Sequence, residues 1–430
     1  MSARMKTPSS YYLLLGITIS LVLFGLIMIF SASSAMAYSA TGDSYFYLKR
    51  QLLYIALGAV FLVLLSRCDY HRLRGATYPL LAVAFVGLLA VEVPGLGRTA
   101  GGAARWLQIG PVSVQPSEIV KLAVLLAGAD ILTRKRAMLA DVRELCLPLL
   151  LPVGAACLLV VVQPDLGTAF TICFATLILA YVAGARMTHL TQISGGLCLA
   201  VVAFILLEPY RMTRFLAFLD PWREPQGAGF HIIQSLLAFG SGGWHGIGLG
   251  LSRQKFFYLP AAHTDFIFAI IGEELGLIGT LLIVALFAVL TYAGMKIAFR
   301  APDFYGRLLS AGLTAMIMSQ AVINMAAVTG LLPITGIPLP LVSFGGSSLV
   351  VTLAAVGIML NVSSQEKAGR GVLSGRTGTK SAAVRRGDGR PRLSSVGPRR
   401  GASGPRRKPA TAVRRNGRRA GSRSRAERGA

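Results

Sequence analysis

Apolar runs of about twenty residues, separated by short charged or Pro/Gly-rich breaks, fill the chain as far as residue 362. A run of that length spans a bilayer as an α-helix. The pattern predicts ten spans, near 11–34, 50–67, 76–93, 113–133, 146–163, 166–184, 189–208, 264–292, 307–328 and 345–362. Beyond them, 363–430 is rich in Arg, Gly, Ser and Pro and nearly free of aliphatic residues, so it cannot bury a core. The expected fold is an all-α polytopic membrane protein of about ten transmembrane helices. It divides into a short N-terminal segment (1–10), a membrane domain (11–362) and a disordered basic tail (363–430).

Composition agrees with this pattern. The chain is 54% hydrophobic and 14% charged, against roughly 25% charged for a soluble domain. The five cysteines lie in apolar runs or at their ends without metal-type spacing, so no zinc site or disulfide framework is indicated. The net charge of +25 suggests nucleic acid until it is located. Twenty Lys/Arg against three acids fall between Val362 and Ala430, so most of it belongs to the tail. Two readings stand for that tail: a polybasic segment on anionic lipid headgroups, or a docking element for an acidic protein partner. No aromatic or folded reading element accompanies the arginines, which argues against nucleic acid.

Orientation follows from the basic residues between spans, because short basic loops stay in the cytoplasm. Arg67, Arg72 and Arg74, then Arg134, Lys135, Arg136 and Arg143, then Arg186, then Lys296, Arg300 and Arg307 fall in alternate breaks. These share a side with both termini, predicting cytoplasmic ends. The breaks at 35–49, 94–112, 163–165, 209–263 and 329–344 then face outward. The 209–263 loop is far longer than a median connection and carries Trp222, Phe230, Trp244, Phe256 and Phe257 to anchor it at an interface.

Ionisable residues inside the spans gather towards that outward side: Asp265 opens the eighth span, Asp165 lies at the 163–165 turn, and Glu118 and Lys121 lie in the fourth. Intramembrane charges are costly and mark function by default. Glu118 and Lys121, three apart on one helix face, are either a structural ion pair or a cation held for a phosphate. Asp165 is either a helix cap or a site residue. Asp265 is either a cap or a carboxylate whose partial desolvation makes it a better base, with His263 placed to tune it. Glu273 lies about 12 Å deeper by continuous helix geometry, with Glu274 on the opposite face, so both read as structural acceptors. Arg211, Arg214, Arg223, Arg253 and Lys255 stand in the outer loop, where positive charge is usually depleted, and point to an anionic ligand. G-I-G-L-G at 246–250 lacks the strand context of a dinucleotide loop.

In order along the chain stand A-R-W at 104–106, Q-P-S-E-I-V-K at 115–121, Q-P-D-L-G-T at 163–168, F-L-D-P-W at 218–222 and G-G-W-H-G-I-G-L-G at 242–250. Q-K-F-F-Y-L-P at 254–260, H-T-D-F-I-F-A at 263–269, G-E-E-L-G at 272–276, Gln320, Asn324, L-P-I-T-G-I-P-L-P at 332–340 and S-F-G-G-S-S at 343–348 complete the series. The chain resembles the FtsW/RodA (SEDS) family of cell-wall polymerases from the first span to the tenth, and its wording is more like the division branch than the elongation branch. The resemblance implies a peptidoglycan glycosyltransferase that joins lipid II units on the outer face of the plasma membrane, with undecaprenyl pyrophosphate leaving, at the division septum. Asp265 is the catalytic residue it carries over, as general base. Arg105, Lys121, Arg211, Arg214, Lys255 and His263 are then candidate substrate contacts, supported by Glu118, Asp165, Glu273 and Glu274. Neutralising the pyrophosphate calls for Arg or Lys, with or without a divalent cation such as Mg or Mn. The implied partners are lipid II, a class B penicillin-binding protein, membrane lipids and other division proteins, with the tail as one route to the last. Two positions depart from the family: Ala261 replaces the usual Glu, and Phe230-His231 replaces the usual Tyr-Gln. A lipid II transporter and the elongation-type paralogue are the alternatives.

Overall fold

The computed structural model describes residues 8–366 apart from 101–102, 111, 136–141, 208 and 257. Of the tail expected to be disordered over 363–430, residues 363–366 are described at the end of α12, while 367–430 and the first seven residues lie outside the described residues.

Among the described residues, ten long helices overlap the predicted spans: α1 (Ser9–Thr41), α2 (Phe46–Arg67), α3 (Leu73–Val91), α4 (Pro116–Arg134), α5 (Val142–Val162), α6 (Leu166–Ala183), α7 (Met187–Leu206), α10 (Ile267–Arg300), α11 (Phe304–Val328) and α12 (Gly346–Ser364). The 209–263 loop adds two shorter helices, α8 (Pro209–Leu219) and α9 (Phe230–Gly242). Among the described residues, eight helices are long and apolar enough to cross a membrane. The other two long helices are α5, whose apolar part Pro148–Val162 is shorter, and α4, which carries Glu118, Lys121, Asp130 and Arg134. α4 lies inside the protein, buried on nearly every face, as are α11 and α12. That burial places the charges of α4 against protein groups instead of lipid tails. The outer helices α2, α3 and α7 turn large apolar side chains such as Phe61, Val86 and Leu199 outward, as a bilayer requires.

Three features depart from a simple bundle. First, the 94–112 break and the residues after it form an antiparallel sheet in the order β1 (Gly97–Ala100), β2 (Ala103–Ile109) and β3 (Val112–Val114), with Leu107 opposite Val114. The sheet leads into Pro116, which suits the first turn of α4 because its missing N–H has no helical partner there.

Second, the 329–344 break, expected to face outward, dips into the bundle, where Ile337, Leu339, Leu341 and Val342 are buried. It presses on the middle of α1 so closely that a Cβ on Gly25 would stand 2.7 Å from the Val342 carbonyl oxygen. Irregular backbone at depth needs internal partners. Asn324 and Gln320 supply them, donating through Nδ2 to Ile337 O (2.7 Å) and through Nε2 to Pro338 O (3.1 Å).

Third, α10 starts at Ile267 and breaks at Gly276 (φ 67°, ψ −160°), a conformation suited to glycine. The continuous phase drawn above from Asp265 to Glu273 therefore does not hold, because 261–266 are turns. At the break, the Leu277 amide donates to Gly243 O (2.9 Å), and the amides of Ile247 and Gly248 donate to Glu273 O and Glu274 O (both 3.0 Å). The Gly-rich loop is thereby sewn to the kink.

Candidate active site

Residues 261–266 turn into α10 around one carbonyl: Ala261 O accepts from Thr264 N (3.0 Å), Thr264 Oγ1 (3.0 Å) and Phe266 N (3.5 Å). Ala261 itself is left-handed, with φ 55°, which costs a residue bearing a Cβ about 1 kcal/mol. Asp265 O is held by Asn324 Nδ2 at 2.7 Å. The same amide nitrogen holds Ile337 O, so Asn324 clamps the turn to the dipping 333–345 segment.

Asp265 is partly exposed. It lines a small cleft with Asn324, Thr335, Gly336 and Ile337. A Cβ on Gly336 would stand 3.6 Å from Asp265 Oδ2. Among the described residues no donor hydrogen-bonds this carboxylate. Burial pushes its pKa up to about 6, Arg105 and Arg214 pull it down, and Asp165 pushes it further up.

The other predicted residues are placed as follows. Asp165 caps α6, accepting from Thr168 N (3.2 Å) and Thr168 Oγ1 (2.9 Å), and also accepts from Gln115 Nε2 (3.3 Å). Arg105, on β2, donates through Nε to Gln163 O (3.0 Å) and through Nη2 to Pro164 O, so it braces the turn that presents Asp165. Arg214 stands on α8, where its charge is felt by both Asp265 and His231. Arg211 instead folds back on the end of α7, 3.8 Å above the Phe204 ring.

Lys121 and Glu118 form a buried pair at 2.7 Å, and Lys121 Nζ also donates to Gln320 Oε1 at 2.8 Å. Gln320 passes the network on to Ser348 Oγ (3.0 Å). Lys255 is buried too, donating to Gly250 O (2.6 Å) and standing 3.4 Å from Glu274. Glu274 also accepts from Ser31 Oγ on α1 (2.7 Å), while Glu273 accepts from Ser252 Oγ and from the amides of Arg253 (3.0 Å) and Gln254 (3.3 Å). His263 is buried between Tyr47 (ring centroids 4.3 Å apart) and Phe344, and burial lowers its pKa to about 4, leaving it neutral. Asp265, Asp165, Arg105 and Arg214 therefore share one electrostatic site. Lys121 and Lys255 are enclosed and engaged by protein acceptors, and Arg105 is engaged in part by the carbonyls of Gln163 and Pro164. Among the described residues no group of three or more His, Cys, Asp or Glu side chains is arranged to hold a metal ion.

The FtsW/RodA/SpoVE family, described as cell cycle proteins, matches residues 11–368. The Bacillus subtilis stage V sporulation protein E is 44% identical over 358 residues, spanning 83% of this chain and 98% of the relative. The chain belongs to the FtsW/RodA/SpoVE family. A probable peptidoglycan glycosyltransferase FtsW from Geobacter sp. is 40% identical, with 82% of this chain and 96% of the relative covered. Among solved structures, a chain from a peptidoglycan synthase complex superposes with a TM-score of 0.69 at 32% identity, covering 84% of this chain and 99% of that one. Thermus thermophilus RodA superposes with a TM-score of 0.61 at 28% identity, covering 84% and 98%. The fold of the FtsW/RodA/SpoVE family is thus present over its whole length.

Gln320 and Asn324, without a role in the sequence motifs above, hold the dipping segment in place. Their signal was available: two amides four residues apart on one face of an apolar helix, where a polar group needs a partner. Gln115, which joins the sheet-to-α4 junction to Asp165, carried no comparable signal.

Proposed function

We infer that this protein polymerises lipid II into glycan strands. Asp265 acts as general base, taking the proton from the acceptor sugar hydroxyl as its oxygen attacks the anomeric carbon of the growing chain. The bond from that carbon to undecaprenyl pyrophosphate breaks, and the leaving group departs with the electron pair. The observation that carries this reading is a partly exposed carboxylate that lines a cleft and, among the described residues, accepts no hydrogen bond. Such a group is free to accept a proton, whereas a carboxylate saturated with donors is not. Arg105 and Arg214 supply positive charge on the same side for the pyrophosphate. Lys121 and Lys255 act at one remove, by fixing the segments around the cleft. Relatives named as peptidoglycan glycosyltransferases and the synthase-complex neighbour support the substrate class and a class B penicillin-binding protein as partner. In this reading the Asp265 end faces outward, both termini are cytoplasmic, and the protein works at the division septum.

The test is lipid II polymerisation by the purified full chain with its transpeptidase partner. Asp265→Asn is expected to lower the rate by at least about a hundredfold while the complex still assembles. Glycan synthesis at the wild-type rate would reject Asp265 as the base.

A further inference from the structure

At the end of the bundle away from Asp265, α3, α4 and α5 enclose a groove of about 350 Å³. Pro148 and Pro152 lie inside α5 and line it. A proline within a helix removes a backbone hydrogen bond and crowds the preceding turn. The walls, including Tyr78, Leu81, Ala127 and Ile131, are almost wholly apolar. At the rim stand Arg134 and Lys135, where α4 ends. Ala127 is eight residues from Lys135, so the apolar slot runs about 12 Å from the rim into the bundle. Arg134 Nε is held by Asp130 at 2.9 Å, and among the described residues Lys135 has no carboxylate partner.

The slot and its rim ask for different chemistry, and one ligand class has both. An acyl chain fills an apolar slot open to the bilayer, and a phosphate satisfies cations at its end. We propose that this groove is a binding site for an anionic phospholipid, with one acyl chain between α3, α4 and α5 and the headgroup phosphate against Lys135 and Arg134. Basic pockets between transmembrane helices hold anionic headgroups in this manner. A zwitterionic lipid fills the slot but gains less from the cations, and a soluble phosphate has no chain to place there.

The experiment uses the full chain in bilayers containing brominated phosphatidylglycerol or brominated phosphatidylcholine. Tyr78→Trp serves as a reporter at the groove, with the signal of the unsubstituted protein subtracted. Tyr292→Trp is the control, since Tyr292 is 59% exposed on α10 with Lys296 Nζ 5.4 Å from its ring, and is not among the residues lining this groove. Quenching should show phosphatidylglycerol preferred about fivefold or more at the Tyr78→Trp reporter and near equality at the control. Adding Lys135→Gln should lower the preference about fivefold, and inorganic phosphate should leave it unchanged. Equal preference at both reporters, or a preference indifferent to Lys135→Gln, overturns the proposal. Displacement of the lipid signal by inorganic phosphate also overturns it, in favour of a soluble anion.

Discussion

The two ends of the bundle treat their acids differently. Away from the cleft, Asp130 lies between Arg74 (3.3 Å) and Arg134 (2.9 Å). Asp303 accepts from the Tyr70 hydroxyl and caps α11 through Gly306 N, and Glu366 meets Arg300 (3.5 Å) and Ser10 (3.4 Å). At the cleft end, Asp165, Glu118, Glu273 and Glu274 are just as well partnered. Asp265 is the exception: its backbone is clamped while its carboxylate accepts nothing among the described residues. A buried acid with partners holds helices together, and a partly buried acid without them is costlier to ionise than one in water and ready to take a proton.

Removing one partner of a saturated pair is the largest test of that contrast. Lys121→Met leaves Glu118 buried and unpaired, and should cost about 3–5 kcal/mol, read as thermal unfolding in detergent. Lys121→Met combined with Glu118→Gln should recover most of it, and a double variant as unstable as the single would break the account. Next comes the clamp. Asn324→Leu orphans the carbonyls of Asp265 and Ile337, at about 1–3 kcal/mol, and should lower polymerisation more than stability alone explains. Full activity in a folded Asn324→Leu protein would show that the clamp does not position Asp265. The smallest effect concerns the turn itself. Ala261→Gly relieves a left-handed alanine and should stabilise the protein by up to about 1 kcal/mol, so a lower unfolding temperature would show that the φ of 55° is not strained.

Much of the fold was legible because a bilayer imposes a length on every apolar run. Among the described residues, eight of the long helices meet that constraint in length and composition. The dipping 333–345 segment was not, because L-P-I-T-G-I-P-L-P reads as a break and its burial depends on amides carried by α11. The kink at Gly276 was hidden for a similar reason, since nothing in G-E-E-L-G-L-I-G at 272–279 says which of its three glycines is left-handed. In the site, Asp265 stood out as an acid at the head of an apolar run. Whether a cation is available to a ligand is a tertiary property, and nothing local to Lys121 or Lys255 says that Gln320 or Gly250 engages it. Asp165 illustrates the overlap: the same residue caps α6 and adds negative charge to the Asp265 site.

The central claim is that the Asp265 carboxylate is the proton acceptor, and the pH dependence of kcat/KM for lipid II polymerisation tests it most directly. With a pKa of about 6, the base is protonated below that pH, so the rate should fall about tenfold per unit of acidification below 6 and level off above about 7. Residual turnover by Asp265→Asn should lack this limb. A flat profile between about pH 5 and 8, or the same limb surviving in Asp265→Asn, would contradict the account.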